Sequence, residues 1–154
     1  TSAAAVTWSV WLLAKHPDIQ RQVAAEVERT LHGRAPTFSD VSQLAGVEQV
    51  FKEAMRLFPP VYFLSREAVD EVEVSGYVFP ANSQVFLVPY LSHRDPRWFA
   101  EPERFDPLRF TRENEAQLPH CCYFPFGAGP RACVGRGFAM LEGTLVLAAI
   151  LQEF

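Results

Sequence analysis

The segment Phe124–Gly137, FPFGAGPRACVGRG, constrains the fold of this chain more than any other part of its sequence. It places four glycines around one cysteine, Cys133, and leads directly into the last apolar run of the chain. Glycine adopts backbone conformations that other residues avoid, so such a loop can close tightly around a sulfur or admit a bulky flat ligand. The segment therefore predicts a tight loop that presents a thiol at the start of a helix over Val134–Phe154.

The surroundings expected for Cys133 favour a thiolate over a thiol. The first amides of a helix starting at Val134 have no acceptor within the helix, and the helix dipole adds partial positive charge. Arg131 adds a cation nearby. A lone cysteine is more often a small buried apolar residue, but the glycines and the arginine favour a reactive or metal-binding thiol.

Three kinds of ligand could use this loop. A phosphate would suit the glycines, but Pro130 removes an amide donor and no βαβ unit precedes the loop. Zinc would require adjacent ligands, which strain a tetrahedral site, and no CxxC spacing is present; the candidate ligands are His120, Cys121, Cys122 and Cys133. A haem iron with one axial thiolate needs a single cysteine, donors that moderate its charge and cations for the propionates. A phosphate is rejected and zinc is disfavoured, and haem is the third possibility.

Composition excludes several classes of protein. The chain has 154 residues, of which 49% are hydrophobic, and a net charge of −4 without a basic block, which argues against nucleic acid as a partner. Three cysteines, two of them adjacent, suit a reducing compartment. The longest apolar run, Leu145–Leu151, is far shorter than the ~20 residues of a membrane span. We therefore expect a cytoplasmic protein.

The pattern of apolar residues predicts a mainly α chain with a small β region (α+β). The expected helices are Thr1–Lys15, Pro17–Gly33, a short helix capped by Ser39, Val47–Phe58 and Val134–Phe154. The expected strands are Val61–Arg66, Glu71–Val74, Tyr77–Phe79 and Gln84–Val88. Residues 93–132 form a long loop, which in a compact domain is usually functional.

Both ends of the sequence fall inside predicted helices, with no cap before Thr1 and an apolar helix still running at Phe154. We therefore expect a fragment that is truncated at both ends. Attachment to a membrane through an upstream segment stays open.

Four motifs resemble those of the cytochrome P450 superfamily. Phe126-x-x-Gly129-x-Arg131-x-Cys133-x-Gly135 is similar to its haem-binding loop, and KEAMR, with Glu53 and Arg56, is similar to its Glu-x-x-Arg helix. PERF, at Pro102–Phe105, resembles its second arginine motif, and HRDP, at His93–Pro96, resembles the stretch before that motif. The resemblance covers residues 1–154. It implies the C-terminal, haem-binding part of a single P450 domain, from the tail of the distal helix to the helix after the cysteine loop.

The resemblance also implies roles for individual residues around a haem b. Cys133 would be the proximal iron ligand, Arg131 would pair with a propionate, Phe126 would pack beneath the porphyrin, and Gly135 would let the helix start close to the haem. Arg66 would reach a second propionate.

Other implied roles lie farther from the iron. Glu53, Arg56 and a buried Arg104 would form a structural ion-pair network, whereas an isolated i,i+3 pair is usually a surface pair. Thr1 would relay protons on the distal side, although a helical threonine also bonds its own backbone. Val61 and Phe63 would line the substrate pocket.

The function that the resemblance implies is a haem-thiolate monooxygenase acting on an apolar organic substrate with O₂. Electrons from NAD(P)H would arrive through a reductase, a ferredoxin or a flavodoxin, with Arg136 as a candidate contact. Alternatives within the family are an enzyme that uses peroxide and one that isomerises its substrate. A non-catalytic haem-binding protein or sensor is the alternative from another class.

Overall fold

Helices build most of the chain, and two small sheets lie between the third and the last long helix in sequence. The computed structural model describes residues 1–154. The helices are α1 (Ser2–Lys15), α2 (Pro17–Leu31), α3 (Ala45–Leu57), α4 (Pro89–Ser92), α5 (Arg112–Glu115) and α6 (Arg136–Glu153). Three 3₁₀ turns cover Phe38–Gln43, Pro107–Phe110 and Gly129–Arg131. The strands are β1 (Leu64–Glu67), β2 (Val72–Val74), β3 (Tyr77–Phe79) and β4 (Gln84–Leu87). The predicted mainly α class with a small β region is confirmed.

Local sequence explains where α2 and α3 begin and end. Pro17 occupies the first turn of α2, where its missing N–H costs nothing, and α2 ends at His32 and Gly33, which both have positive φ. The Glu26 side chain of α2 then caps α3, because its carboxylate accepts hydrogen bonds from the amides of Gly46 and Val47. Pro59 and Pro60 follow directly after α3 and prevent its continuation.

Several predicted boundaries are wrong by two or three residues, among them the start of α3, which is Ala45 rather than Val47. The short helix is capped by Thr37, not Ser39, because Thr37 and Asp40 form a reciprocal capping box. The first strand begins at Leu64 rather than at Val61. The last helix begins at Arg136 because Cys133 and the two residues after it form a turn, closed by a hydrogen bond from the Arg136 amide to the Cys133 carbonyl (3.3 Å).

The two sheets each contain one antiparallel pair. β1 pairs with β4, with Leu64 opposite Leu87 and Glu67 opposite Gln84. β2 and β3 form a hairpin through Ser75 and Gly76, which have φ of 52° and 82°. The short helix α5 and the 3₁₀ turns at Pro107–Phe110 and Gly129–Arg131 interrupt the predicted long loop of residues 93–132.

α3 and α6 pack closely where Phe51 of α3 lies over Gly143 of α6. A Cβ atom added to Gly143 would lie 2.2 Å from Cζ of Phe51, far below any real contact. Phe51 is 1% exposed, so it has little room to move away. Gly143 therefore allows the approach of two helices that together supply half of the residues of the main core cluster.

Arg56 of α3 is the centre of a buried polar network. Its Nε and one Nη donate to the two oxygens of Glu53 at 2.6 and 2.8 Å, and both side chains are fully buried. Its other N–H groups donate to the carbonyls of His93 (2.9 Å), Pro102 (2.7 Å) and Arg104 (3.1 Å). All five guanidinium donors are thus used.

The expectation of a buried Arg104 is wrong. Its side chain is 62% exposed and pairs with Glu101 at the surface, so only its carbonyl belongs to the network. The cation near Glu53 is Arg109 instead, 14% exposed, with Nε 3.5 Å from the carboxylate. The error has a clear source, because the pattern Pro-x-Arg-Phe occurs twice, at Pro102–Phe105 and at Pro107–Phe110.

His93 lies in the same interior and is fully buried. Burial lowers the pKa of its imidazole from 6.5 to about 4, and the positive charges of Arg56 and Arg94 act in the same direction. Burial also raises the pKa of the Glu53 carboxyl, although Arg56, the Asp106 amide and Arg109 each lower it. Removal of one member of this network would leave a buried charge without a partner.

Substitution Gly143→Ala should lower the free energy of unfolding of the intact protein by about 1–3 kcal/mol, because the added methyl group overpacks the contact with Phe51. The matched control is Gly137→Ala in the same helix, where an added Cβ has no neighbour within 4 Å. The control should be neutral or slightly stabilising. If both variants lost the same free energy of unfolding in urea, the proposed close contact between α3 and α6 would be contradicted.

Substitution Arg56→Lys should cost about 3–5 kcal/mol in urea unfolding, because an ammonium cannot bind Glu53 through two parallel bonds and reach three carbonyls as well. The control is Arg21→Lys in α2, whose pair with Asp18 is largely exposed. That change should stay within about 0.5 kcal/mol. An Arg56→Lys variant with an unchanged free energy of unfolding would show that the network does not stabilise the protein.

His93 should also make stability depend on pH. The unfolded chain binds a proton at this residue below about 6.5, whereas the folded chain binds it only near 4. Its contribution is therefore complete above pH 6.5 and is lost as the pH falls toward 4, by on the order of 3 kcal/mol in all. The measurement is urea unfolding at a series of pH values. A His93→Gln variant, which cannot titrate, should show a flatter dependence, and identical slopes would contradict the assignment.

Candidate functional site

An apolar cleft of about 420 Å³ lies between the start of α1, α3, the start of β1 and the segment Phe124–Gly137. Aliphatic and aromatic side chains form most of its wall. The groups in the wall that can take part in polar chemistry include the Thr1 hydroxyl, the Arg131 guanidinium and the Cys133 thiol. The cleft thus combines residues from the two ends of the chain.

Main-chain hydrogen bonds shape the loop that carries the thiol. The amide of Cys133 donates to the carbonyl of Phe126 (2.8 Å), and the amide of Gly127 donates to the carbonyl of Phe124 (3.0 Å). Gly127 and Gly129 have φ of 71° and 70°, which a residue with a side chain adopts only at a cost. The glycines are therefore required by the backbone path of the loop.

Cys133 is exposed and makes no disulfide. A Cβ atom at Gly135 would lie 3.8 Å from its sulfur, so the lack of a side chain there keeps the space beside the sulfur free. The helix begins at Arg136, two residues later than predicted. The thiol thus lies one short turn before the helix.

Phe126 connects the cleft to the core. It is partly buried and packs against the apolar cluster formed by Ala5, Phe51 and Met55. Phe51 is the residue that lies over Gly143. The α3–α6 contact and the floor of the cleft consequently share one aromatic side chain.

The structure brings together most, but not all, of the residues that the sequence analysis assigned to the site. Thr1, Val61, Phe126, Arg131, Cys133 and Gly135 all line the cleft. Arg131 is exposed, and the Thr1 side chain makes no capping hydrogen bond to the first turn of α1.

Arg66 and Phe63 lie outside the cleft. Arg66 is half-buried on the same face of β1 as Leu64, which does line the cleft, and its guanidinium donates to the Ser65 carbonyl (2.8 Å). The ring of Phe63 packs against Tyr62 and Phe86 instead. Alternation along an extended chain explains the difference, because Phe63 and Leu64 point to opposite faces.

The four potential zinc ligands do not come together. No group of three or more histidine, cysteine or acidic side chains is positioned to hold a metal ion. His120 and Cys121 contact each other, with 3.1 Å between Nδ1 and Sγ, whereas Cys122 is buried and Cys133 lies in the cleft.

Two residues that matter for the site were not predicted from the sequence. Arg109 could have been found from the second Pro-x-Arg-Phe pattern. Leu64 gave no signal, because the point at which the chain enters the strand decides which side chains face the cleft.

The residues present fit a haem. The walls are apolar, the thiol faces the cleft, and a guanidinium stands at the same cleft for an acidic substituent. Phe138 lines the cleft and is 68% exposed, which leaves an aromatic surface free to cover a flat ligand.

None of the helices is long and apolar enough to cross a lipid bilayer.

Comparisons with known proteins agree with this chemistry. The family model described as Cytochrome P450 matches residues 1–154. Cyclooctatin synthase of Streptomyces melanosporofaciens is 43% identical over 97% of this chain. Human cytochrome P450 4V2 is 40% identical and human cytochrome P450 3A7 is 37% identical, each over 100% of the chain.

The matched region covers only part of each relative. The chain spans 33% of the length of cyclooctatin synthase and 30% of that of cytochrome P450 4V2. The match nevertheless includes the whole chain, with the thiol loop and the Glu53–Arg56 helix. The chain therefore belongs to the cytochrome P450 family.

Proposed function

We propose that the intact protein is a haem-thiolate monooxygenase that inserts one oxygen atom from O₂ into an apolar organic substrate. The observation that carries the proposal is a free thiol, Cys133, on a glycine-shaped loop that faces an apolar cleft. Membership of the cytochrome P450 family supports the same reaction class.

Five residues would hold the haem b. Cys133 would bind the iron, Phe126 would pack beneath the porphyrin near the sulfur, and Gly135 would leave room for its close approach. Arg131 would pair with one propionate, since it already stands at the cleft. Arg66 would have to leave its bond to the Ser65 carbonyl to reach a second propionate. The bound haem would supply the chemistry that activates oxygen.

Thr1 would move protons on the distal side of the cleft. Its hydroxyl makes no capping bond to α1, so it is free to donate to or accept from a bound molecule or a water. A hydroxyl can pass a proton on because it has both a donor and acceptor sites. The position of Thr1 in the cleft wall supports this role.

The cleft wall suits a largely apolar substrate. Val61 and Leu64 contribute aliphatic surface, and burial of apolar substrate area against it is favourable at about 25 cal/mol per Å². Leu64 takes the place in the proposed pocket that the sequence analysis assigned to Phe63. Exclusion of water by these side chains would also strengthen polar interactions in the site.

Electrons from NAD(P)H would reach the protein through a reductase, a ferredoxin or a flavodoxin. The exposed Arg136 follows the thiol loop and is a candidate contact for an acidic partner.

Substitution Cys133→Ala should abolish the strongly red-shifted Soret band that the reduced, CO-bound intact protein shows when a thiolate binds the iron, because alanine offers no ligand. The control is Cys121→Ser, which changes an exposed thiol outside the cleft and should keep the band. A band that survives Cys133→Ala, or a histidine-type spectrum in the unchanged protein, would overturn the proposal.

Isotope-labelled O₂ separates the remaining possibilities once thiolate ligation is found. Label in the product that depends on NADPH and a redox partner indicates a monooxygenase. Product formed from peroxide alone, or a rearranged product without label, indicates one of the other reaction types of the family. Ligation without any turnover indicates a haem-binding protein or sensor.

A further inference from the structure

A single hydrogen bond ties the thiol loop to the rest of the protein. The amide of Phe124 donates to Nε2 of His93 at 2.9 Å. All other hydrogen bonds of the segment Phe124–Gly137 stay within the segment or within α6. Apart from apolar packing, the position of the loop therefore depends on one imidazole.

His93 is itself fixed by the Arg56 network. Its carbonyl accepts a hydrogen bond from Arg56 (2.9 Å), and its amide donates to the carbonyl of Pro89 (2.8 Å). Its ring packs against the rings of Tyr123 and Phe124, with distances of 5.0 and 5.3 Å between ring centroids. The side chain has no exposed surface, so it cannot turn away from the loop without disturbing the core.

The bond requires one particular form of the imidazole. Nε2 accepts a hydrogen bond from an amide, so it must be unprotonated, and the proton of the neutral ring therefore lies on Nδ1. Burial holds the pKa of His93 at about 4, which keeps the ring neutral at physiological pH. Nδ1 makes no well-aligned hydrogen bond. The part of the ring that serves the loop is therefore Nε2.

Two further main-chain hydrogen bonds within the loop connect the backbone near Phe124 to that of Cys133. The Phe124 carbonyl accepts from Gly127, and the Phe126 carbonyl accepts from Cys133 itself. A shift at Phe124 would reach the backbone of Cys133 through these neighbouring bonds.

We propose that His93 is a positioning residue for the Cys133 thiolate, acting through the hydrogen bond that its Nε2 accepts from the Phe124 amide. The inference rests on the proposed haem-thiolate function. Loss of the acceptor would leave a buried N–H unpaired and release the loop, so that the sulfur is held less well and is protonated more easily.

The experiment compares His93→Phe, His93→Gln and His93→Asn in the intact, haem-loaded protein. Phenylalanine keeps the ring but has no acceptor, glutamine can place an oxygen near the position of Nε2, and asparagine reaches only the position of Nδ1. The readout is the ratio of thiol-type to thiolate-type CO spectra. We expect a roughly tenfold rise for His93→Phe and for His93→Asn, the scale of one lost hydrogen bond, and recovery in His93→Gln.

A second readout needs no haem. Amide hydrogen exchange at Phe124 in the haem-free protein should be faster in His93→Phe and His93→Asn than in His93→Gln, because only glutamine offers the amide an acceptor. Val27→Ala, a buried change in α2 that contacts neither His93 nor the loop, controls for general loss of stability. It should leave both readouts unchanged.

The outcomes separate the inference from the proposed function. An unchanged protein without any thiolate-type spectrum would overturn the function, and the inference with it. A thiolate-type spectrum that His93→Phe and His93→Asn alter no more than Val27→Ala does would overturn the inference alone. If His93→Phe does not fold, the comparison of glutamine with asparagine decides the question.

Discussion

The rest of the structure depends on the hydrogen bonds that the buried guanidinium of Arg56 makes. It binds one buried carboxylate through two parallel bonds and three carbonyls from residues far along the chain. A buried ion pair of this kind adds little net stability compared with apolar packing. It fixes the positions of its partners, because each N–H group of the planar guanidinium can bond only to an acceptor that lies in its own direction. This explains how residues 93–104, which form little regular structure, still have a defined path past α3.

The thiol loop is held from two sides by different kinds of contact. On one side, the polar network reaches it through His93 and the Phe124 amide. On the other, apolar packing reaches it through Phe51 and Phe126. Both routes begin on α3, which carries Glu53 and Arg56 on the turns next to Phe51. The helix therefore works as a common support, and the loop itself needs few contacts of its own.

Sequence alone predicted the parts of the fold that depend on local patterns. Apolar residues at four-residue spacing identified α2, the prolines marked the end of α3, and the glycines marked the loop around Cys133. The errors arise where the decision is made by distant residues. Arg104 and Arg109 occupy equivalent places in two copies of one short pattern, and only the position of Glu53 decides which is buried. Phe63 was assigned to the pocket from the family resemblance, whereas its ring packs against Phe86, because the pairing of β1 with β4 is not visible in the sequence.

The distance between Thr1 and Cys133 is set by helix packing, although the two residues lie at opposite ends of the chain. α1 carries Thr1 at its start and packs on both α3 and α6, while α6 begins three residues after the sulfur. The crossing of α3 and α6 depends on the absence of a side chain at Gly143. Because protein interiors are close-packed, an added methyl group there must displace Phe51. Phe51 belongs to the same apolar cluster as Ala5 of α1, and Phe126 of the loop packs against this cluster. A residue that belongs to the fold thus controls the geometry in which the Thr1 hydroxyl and the Cys133 thiol face one cleft.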